Sequence, residues 1–282
     1  MKPTIKVCIL SKDTPLLGIE TINLLKTAAF NSQSVSFSLI INDDQTDLYE
    51  PEIKDMPMVS LGSVSSTQKG LRKCFIKSIE IFLEEKEDFL FILPHDIFGV
   101  VNRWDKFINE KIGFFPDNIM SLYSLQDGFA RSQQVLESCY CISYDDSVMP
   151  QRPLRTLQRE FGQLDCNDSL NIDFAVAFEF CDLFPCITSK LAEYLLEFYY
   201  NESGDLSHDL IVAMLLQQVF RMTGENRNIF GLPDSFRAVN DGNTHRKIQE
   251  SRIDLSNLTK IANKMSNDII REKWKTWQQK II

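Results

Sequence analysis

The sequence predicts an α/β domain on a mainly parallel sheet, and three observations predict it. Short apolar runs at residues 5–10, 35–41 and 89–93 have the length and composition of strands. Stretches with helical spacing separate them. Each run stops in polar residues: Ser11 to Asp13, Asn42 to Asp47, and His95 with Asp96. In such a sheet the ligand site lies beyond the carboxyl ends of the strands, so these stops are where function is expected.

Taken in order, residues 5–10 form a buried strand running into a loop, and residues 17–28 have helical spacing. Val35, Phe37, Leu39 and Ile41 alternate with Ser34, Ser36 and Ser38, as in a half-buried strand. Residues 60–66 are rich in Ser and Gly and read as a loop. Residues 69–83 are amphipathic, with Leu71, Phe75, Ile79, Phe82 and Leu83 on one side, and lead to the apolar strand 89–93. Residues 118–123 and 138–143 read as strands, and 151–162 as a loop or short helix with Arg152, Arg155 and Arg159. Thr188 and Ser207 each precede an apolar face and are expected to cap helices through about residues 199 and 222. A Gly-, Asn-, Pro- and Asp-rich loop over 224–243 ends at His245. Leu255, Leu258, Ala262, Met265, Ile269, Trp277 and Ile281 then give a C-terminal amphipathic helix. No repeat or flexible linker divides the chain, so one domain over 1–245 with a helical appendage over 246–282 is expected.

With 282 residues, 44% hydrophobic and 24% charged, the chain has an ordinary globular composition, which excludes disorder, coiled coil and collagen. No segment approaches the roughly 18 to 20 apolar residues of a membrane span, and the start lacks a signal-peptide core, so a cytoplasmic protein is expected. The net charge is −9, but residues 246–282 hold nine Lys/Arg against four Asp/Glu, so this tail carries +5 and the rest −14. A uniformly acidic surface repels phosphate; any contact with a polyanion must be local. The seven cysteines, at 8, 74, 139, 141, 166, 181 and 186, include no CxxC pair and read as buried thiols in a reducing compartment. Cys139 and Cys141 would share one face of a strand, where a soft metal is the alternative.

Only three histidines are present, each in a telling position: His95 beside Asp96 at a strand end, His208 beside Asp209 at a helix start, and His245 closing the long polar loop. A strand-end carboxylate with a distant imidazole suits Mg²⁺ or Mn²⁺ whose other ligands are water and a diphosphate. Asp209 in a first helical turn is a candidate general base. The alternative is structural, since the helix dipole alone favours Asp there.

The order of these elements resembles the GT-A glycosyltransferases, especially those with a family-two type nucleotide-sugar half. Their strand, helix, strand opening ends in a motif like V-V-D-D-G-S-T-D, here Ile40, Ile41, Asn42, Asp43, Asp44, Gln45, Thr46 and Asp47. Their DXD motif is matched by Leu93, Pro94, His95, Asp96 and Ile97, their acidic residue at a helix start by His208, Asp209 and Leu210, and their C-terminal metal-binding histidine by His245 after Gly231, Leu232 and Pro233. The resemblance covers about residues 4–246, in order and spacing more than in letters. It implies a Rossmann-like GT-A fold and transfer of a sugar from a nucleotide sugar, UDP-linked by preference, to an acceptor hydroxyl. It places Ser11 and Asp44 at the base, Lys69 and Arg72 near ribose and diphosphate, and His95 among the donor-binding residues. Asp96 and His245 would hold a divalent cation, Mn²⁺ or Mg²⁺, and Asp209 would deprotonate the acceptor if the enzyme inverts. The motif departs from DXD in having Pro94 and His95 ahead of a single acid, which leaves His95 as an extra ligand, a metal-free reaction or a non-catalytic nucleotide-sugar-binding module as alternatives.

For the acceptor, Arg152, Arg155 and Arg159 would share one side of a helical turn, and the basic tail offers a second positive surface. Together they suit a groove tracking the phosphates of DNA, in an enzyme that glycosylates hydroxymethylated or already glycosylated bases in the manner of phage DNA-modifying transferases, acting in the host cytoplasm. The alternative is a transferase of bacterial surface polysaccharide or lipopolysaccharide, whose basic tail with Trp274 and Trp277 suits a membrane surface.

Overall fold

The computed structural model describes residues 3–66, 70–95, 97–100, 103–106, 108, 115–126, 185–202, 208–225, 227–238 and 255–280. Among them eight strands form one sheet in the order β3-β2-β1-β4-β7-β6-β8-β5. The strands are β1 (Ile5–Leu10), β2 (Val35–Asn42), β3 (Val59–Val64), β4 (Phe89–Pro94), β5 (Ile97–Val100), β6 (Ser121–Gln126), β7 (Cys186–Thr188) and β8 (Asn228–Ala238). The helices are α1 (Pro15–Ala28), α2 (Thr46–Ile53), α3 (Leu71–Glu85), α4 (Ser189–Asn201), α5 (His208–Thr223) and α6 (Leu255–Gln279). β1, β2, β3 and β4 are mutually parallel; β7 is antiparallel to both β4 and β6, and β8 runs parallel to β6. β6 and β8 therefore point the same way as β4, so six carboxyl ends lie on one rim. This is the expected mainly parallel α/β sheet flanked by helices, with a C-terminal helix.

The period-two pattern of β1, β2 and β4 divides the core in two. Ile5, Val7, Ile9, Phe37, Leu39, Phe91 and Leu93 pack with α1 and α2, while Cys8, Ile40, Leu90 and Ile92 pack with α3, α4, α5 and α6. Cys8 and Cys186 are buried free thiols, as expected. α1 starts with Pro15 at its first turn, where a missing N–H costs nothing. α5 ends at Gly224, whose φ of +67° closes the helix left-handed. α6 buries Leu258, Ile261, Ala262, Met265 and Ile269 in the same core as α4 and α5.

Several expectations are corrected. The Ser/Gly loop expected over 60–66 is mostly strand: residues 59–64 form the edge strand β3, where Ser60 and Ser38 share a hydroxyl hydrogen bond of 2.5 Å and Gly62 leaves room for Ile40 and Ile81. The loop expected over 224–243 contains β8, whose two register shifts against β6 bracket Gly231 and Pro233 and absorb them as irregularities. Thr188 stands at the N-cap position of α4 as expected, but its hydroxyl makes no capping bond and bonds instead to Met120 and Asn118 across the sheet. The strand expected from residue 118 starts at Ser121, and α2 and β5 were not expected at all. Trp277, assigned to the packed face of the last helix, is 54% exposed. The expected strand 138–143, the arginine segment 151–162 and the cap Ser207 lie outside the described residues.

Candidate active site

The rim is organised from β1 outward. Ser11 is 6% exposed, and its hydroxyl shares a 2.9 Å hydrogen bond with Tyr49 of α2. The same phenol accepts the Thr14 N–H at 3.3 Å. Tyr49 thus fixes the turn from β1 into α1, and Ser11 is a buried strut of that turn, its hydroxyl engaged internally. Asp13 holds a φ of +57°, which a short polar side chain tolerates, and Gln45 clasps it from both its amide N–H and its carboxylate. These contacts tie the ends of β1 and β2 together.

The Asp43 carboxylate accepts the Ser66 N–H at 2.9 Å, and this backbone bond holds its pKa below the usual carboxylate range. The bond draws the end of β3, and the loop leading to α3, towards the end of β2. Asp44 is exposed in the short 3-10 turn that follows β2. Arg72 is half-buried in the first turn of α3, next to Gly70, whose φ of +137° admits no ordinary side chain. Lys69 lies outside the described residues.

At the end of β4, His95 Nδ1 accepts the Lys12 N–H at 3.3 Å. With Nδ1 accepting in this contact, Nε2 is the ring atom left to donate, and it suits an anionic oxygen. The buried Thr21 hydroxyl of α1 lies 2.6 Å from the His95 carbonyl and 3.5 Å from that of Ile97. Asp96 lies outside the described residues. Ile97 pairs with Ala238 at the end of β8, seven residues before His245, which also lies outside them.

α5 completes the rim. Only four residues separate Thr223 from Asn228, and β8 starts on the opposite rim, so α5 ends there and begins at the carboxyl-end rim. Sixteen residues span about 24 Å, enough to cross the sheet. At that start, His208 is 5% exposed between Phe75 and Tyr199, with ring centroids at 5.2 and 6.1 Å. Its Nδ1 lies 2.8 Å from the Tyr199 hydroxyl, and burial lowers its pKa from 6.5 to about 3. The backbone of Asp209 follows in the first turn. Phe75 stands one turn into α3, so the helix starts carrying Arg72 and Asp209 are neighbours on one side of the sheet. Arg152, Arg155 and Arg159 lie outside the described residues.

Sequence reasoning missed Tyr49, Thr21 and Gln45. The signal for Tyr49 and Gln45 was the polar stretch 43–53, which hides a helix behind strand-end acids. Among the described residues no three His, Cys, Asp or Glu side chains gather as a metal cluster.

No protein-family model and no curated protein sequence matches the chain. Solved structures do. A mannosyltransferase from Pyrobaculum calidifontis, in complex with GDP-Man and Mn²⁺, aligns with a TM-score of 0.50 at 11% identity over 94% of this chain and 70% of its own. Glucosyl-3-phosphoglycerate synthase from Mycobacterium tuberculosis, with Mn²⁺, UDP and phosphoglyceric acid, aligns with a TM-score of 0.50 at 10% identity over 92% of this chain and 78% of its own. What is shared is the fold. Against S. aureus TarS 1-349 the TM-score is 0.47 at 11% identity, and the match covers 84% of this chain but only 60% of that one.

Proposed function

We propose that the chain is a glycosyltransferase that moves a sugar from a nucleotide sugar to an acceptor hydroxyl. One observation carries this reading: the register of β5 on β8. Ile97, next to Asp96, pairs with Ala238, from which the chain continues to His245, so the segments bearing both proposed cation ligands leave the sheet side by side. The start of α5, with Asp209, stands on the same rim. Fold likeness to a mannosyltransferase in complex with GDP-Man and to a glucosyl-3-phosphoglycerate synthase in complex with UDP supports the same reading.

In this reading the base and ribose of the donor lie over the ends of β1 and β2. Asp44 contacts the base with the Ser11 turn held beneath it, while Lys69 and Arg72 lie near the diphosphate and His95 donates its Nε2 proton to it. A carboxylate and a neutral imidazole are a fitting donor set for Mn²⁺ or Mg²⁺, so Asp96 and His245 would hold the cation. When bound, the ion neutralises charge building on the departing diphosphate. Asp209 takes the acceptor proton as the hydroxyl oxygen attacks the anomeric carbon.

The acceptor reading that began with DNA rests on Arg152, Arg155 and Arg159. The described part of the C-terminal helix does not add to it. Lys264, Arg271, Lys273 and Lys275 pair with Glu197, Asp268, Glu225 and Glu272, and the helix runs away from the active rim. That placement favours a second reading, transfer to a glycan of the bacterial surface.

The test is nucleoside-diphosphate release from a panel of UDP- and GDP-sugars, with Mn²⁺ or EDTA. Asp209→Asn and Asp96→Ala should each lower release about a hundredfold or more. Unchanged turnover in both variants would refute the assignments. For the acceptor, the double substitution Arg152→Glu and Arg155→Glu should weaken DNA binding and flatten its salt dependence; no effect would leave the glycan reading.

A further inference from the structure

The last three turns of α6 have no counterpart in the chemistry above. α6 starts near the active rim, where Asn257 reaches the Phe198 carbonyl at the end of α4. It then runs beside α5, with Ser266 on Met222 and Lys273 on Glu225. Its 25 residues span about 37 Å against about 24 Å for α5. The helix therefore overshoots the opposite rim. From Arg271 to Lys280 every residue is exposed except Glu272.

This overhang has its own apolar face. Ile270, Trp274 and Trp277, spaced i, i+4 and i+7, are 55%, 56% and 54% exposed, and the two indole rings lie 5.0 Å apart. Further back the same face is polar, with Thr259 and Asn263. At 100° per residue the stripe lies roughly 130° around the axis from the buried row Leu258, Ile261, Ala262, Met265 and Ile269. It therefore faces away from the body. Four cations, Arg271, Lys273, Lys275 and Lys280, stand against one acid, Glu272, between residues 270 and 280; the first three share solvent-screened surface ion pairs with Asp268, Glu225 and Glu272, and Lys280 carries the charge on to the tip.

We propose that the α6 overhang docks the protein on an anionic lipid bilayer, with Ile270, Trp274 and Trp277 in the headgroup region. Tryptophan pairs an apolar body with an N–H that suits a wet interface, and cations beside it attract acidic headgroups. A second copy is the wrong occupant on charge, because two tips of like sign repel. The helix runs on past the point where Lys273 meets Glu225, by about 6 Å to Trp277 and about 10 Å to Lys280, so its tip stands clear of the acidic body. This surface is separate from the donor site, so failure of one proposal leaves the other standing.

The test uses the full chain and sedimentation with vesicles of phosphatidylcholine, alone or with phosphatidylglycerol. Binding is expected to the anionic vesicles and to be salt-sensitive. Trp104 is 1% exposed, so a blue shift of tryptophan emission on binding reports Trp274 and Trp277. Trp274→Ala with Trp277→Ala should raise the half-binding lipid concentration about tenfold or more without changing the melting temperature. Lys275→Glu with Lys280→Glu should abolish the preference for anionic vesicles, each lost cation being worth about fivefold. No binding to anionic vesicles overturns the proposal. So does concentration-dependent dimerisation that buries the two indoles, which would make a second copy the occupant.

Discussion

His208 gives the sharpest quantitative expectation. The unfolded chain binds a proton there near pH 6.5, whereas burial holds the native ring neutral down to about pH 3. In the window between these values the unfolded state carries the extra proton, so stability falls as pH falls. The His208 contribution to this loss is about 0.2 kcal/mol at pH 7 and about 2 kcal/mol at pH 5. Urea unfolding from pH 7 to pH 5 should therefore show the native protein losing about 2 kcal/mol more than His208→Phe. Paired with Tyr199→Phe, the variant leaves no stranded hydroxyl, because the 2.8 Å Tyr199 bond disappears on both sides. Absolute stability will shift with packing against Phe75, but the slope isolates the proton. Equal slopes in the two proteins would mean that His208 titrates normally and that α5 does not start in a sealed pocket.

Other expectations concern the supports of the rim. Arg227 is 1% exposed and bonds Asp117 at 2.6 Å and Glu225 at 2.8 Å, so Arg227→Met should cost about 3–5 kcal/mol in urea unfolding, with part recovered by adding Asp117→Asn; a loss below about 1 kcal/mol contradicts the buried network. Burial raises the pKa of Glu225, but Lys273 and Arg227 outweigh it and lower it overall, so this carboxylate should contribute stability above about pH 4.5 that Glu225→Gln lacks and that is lost on acidification. In Gly62→Ala the new Cβ would lie 2.7 Å from Ile40 Cδ1 and from Ile81 Cδ1, and overpacking should cost about 1–3 kcal/mol by thermal unfolding. Asp43→Ala should speed amide exchange at Ser66 about tenfold or more, and unchanged exchange would mean that the carboxylate does not hold the loop.

The strands β1 and β4 were legible because each sits in the middle of the sheet, where burial on both faces writes an apolar run into the sequence, while β2 was legible from its alternation with Ser34, Ser36 and Ser38, although the structure buries most of both its faces. β3 and β5 lie at the edges, where one side of the strand has no partner and the apolar requirement weakens, so Ser60, Gly62 and Ser63 read as loop. β8 was hidden by Gly231 and Pro233, which ordinarily exclude a strand and are accommodated here by shifts in register. The strand-end residues Asp43 and His95 were legible as candidates for a site because strand ends are where polarity interrupts an apolar run. Their supports were not. The pairing of Ser11 with Tyr49, or of His95 with the Lys12 N–H, depends on which loops the sheet order brings together, and spacing along the chain carries no trace of that.

That sheet order also decides which late residues can reach the rim. A chain that ended its parallel sheet at β4 would have one half of the candidate rim and nothing opposite it. Here β7 reverses direction, α4 crosses one face, and α5 returns from the active rim to the far one, so β8 must run back towards it. The partner of its last residue is Ile97, the residue after Asp96. Two segments some 140 residues apart thus leave the sheet from one point, and the entropy of that closure is met by the strand hydrogen bonds and by Arg227 at the far end of β8. Under the proposed function Arg227 is therefore tied to activity as well as to stability, because it anchors the start of β8, the strand that precedes His245 in the chain. On that proposal a variant such as Arg227→Met that still folds should lose cation affinity before it loses binding of the nucleoside half of the donor, which the proposal rests on β1 and β2 alone.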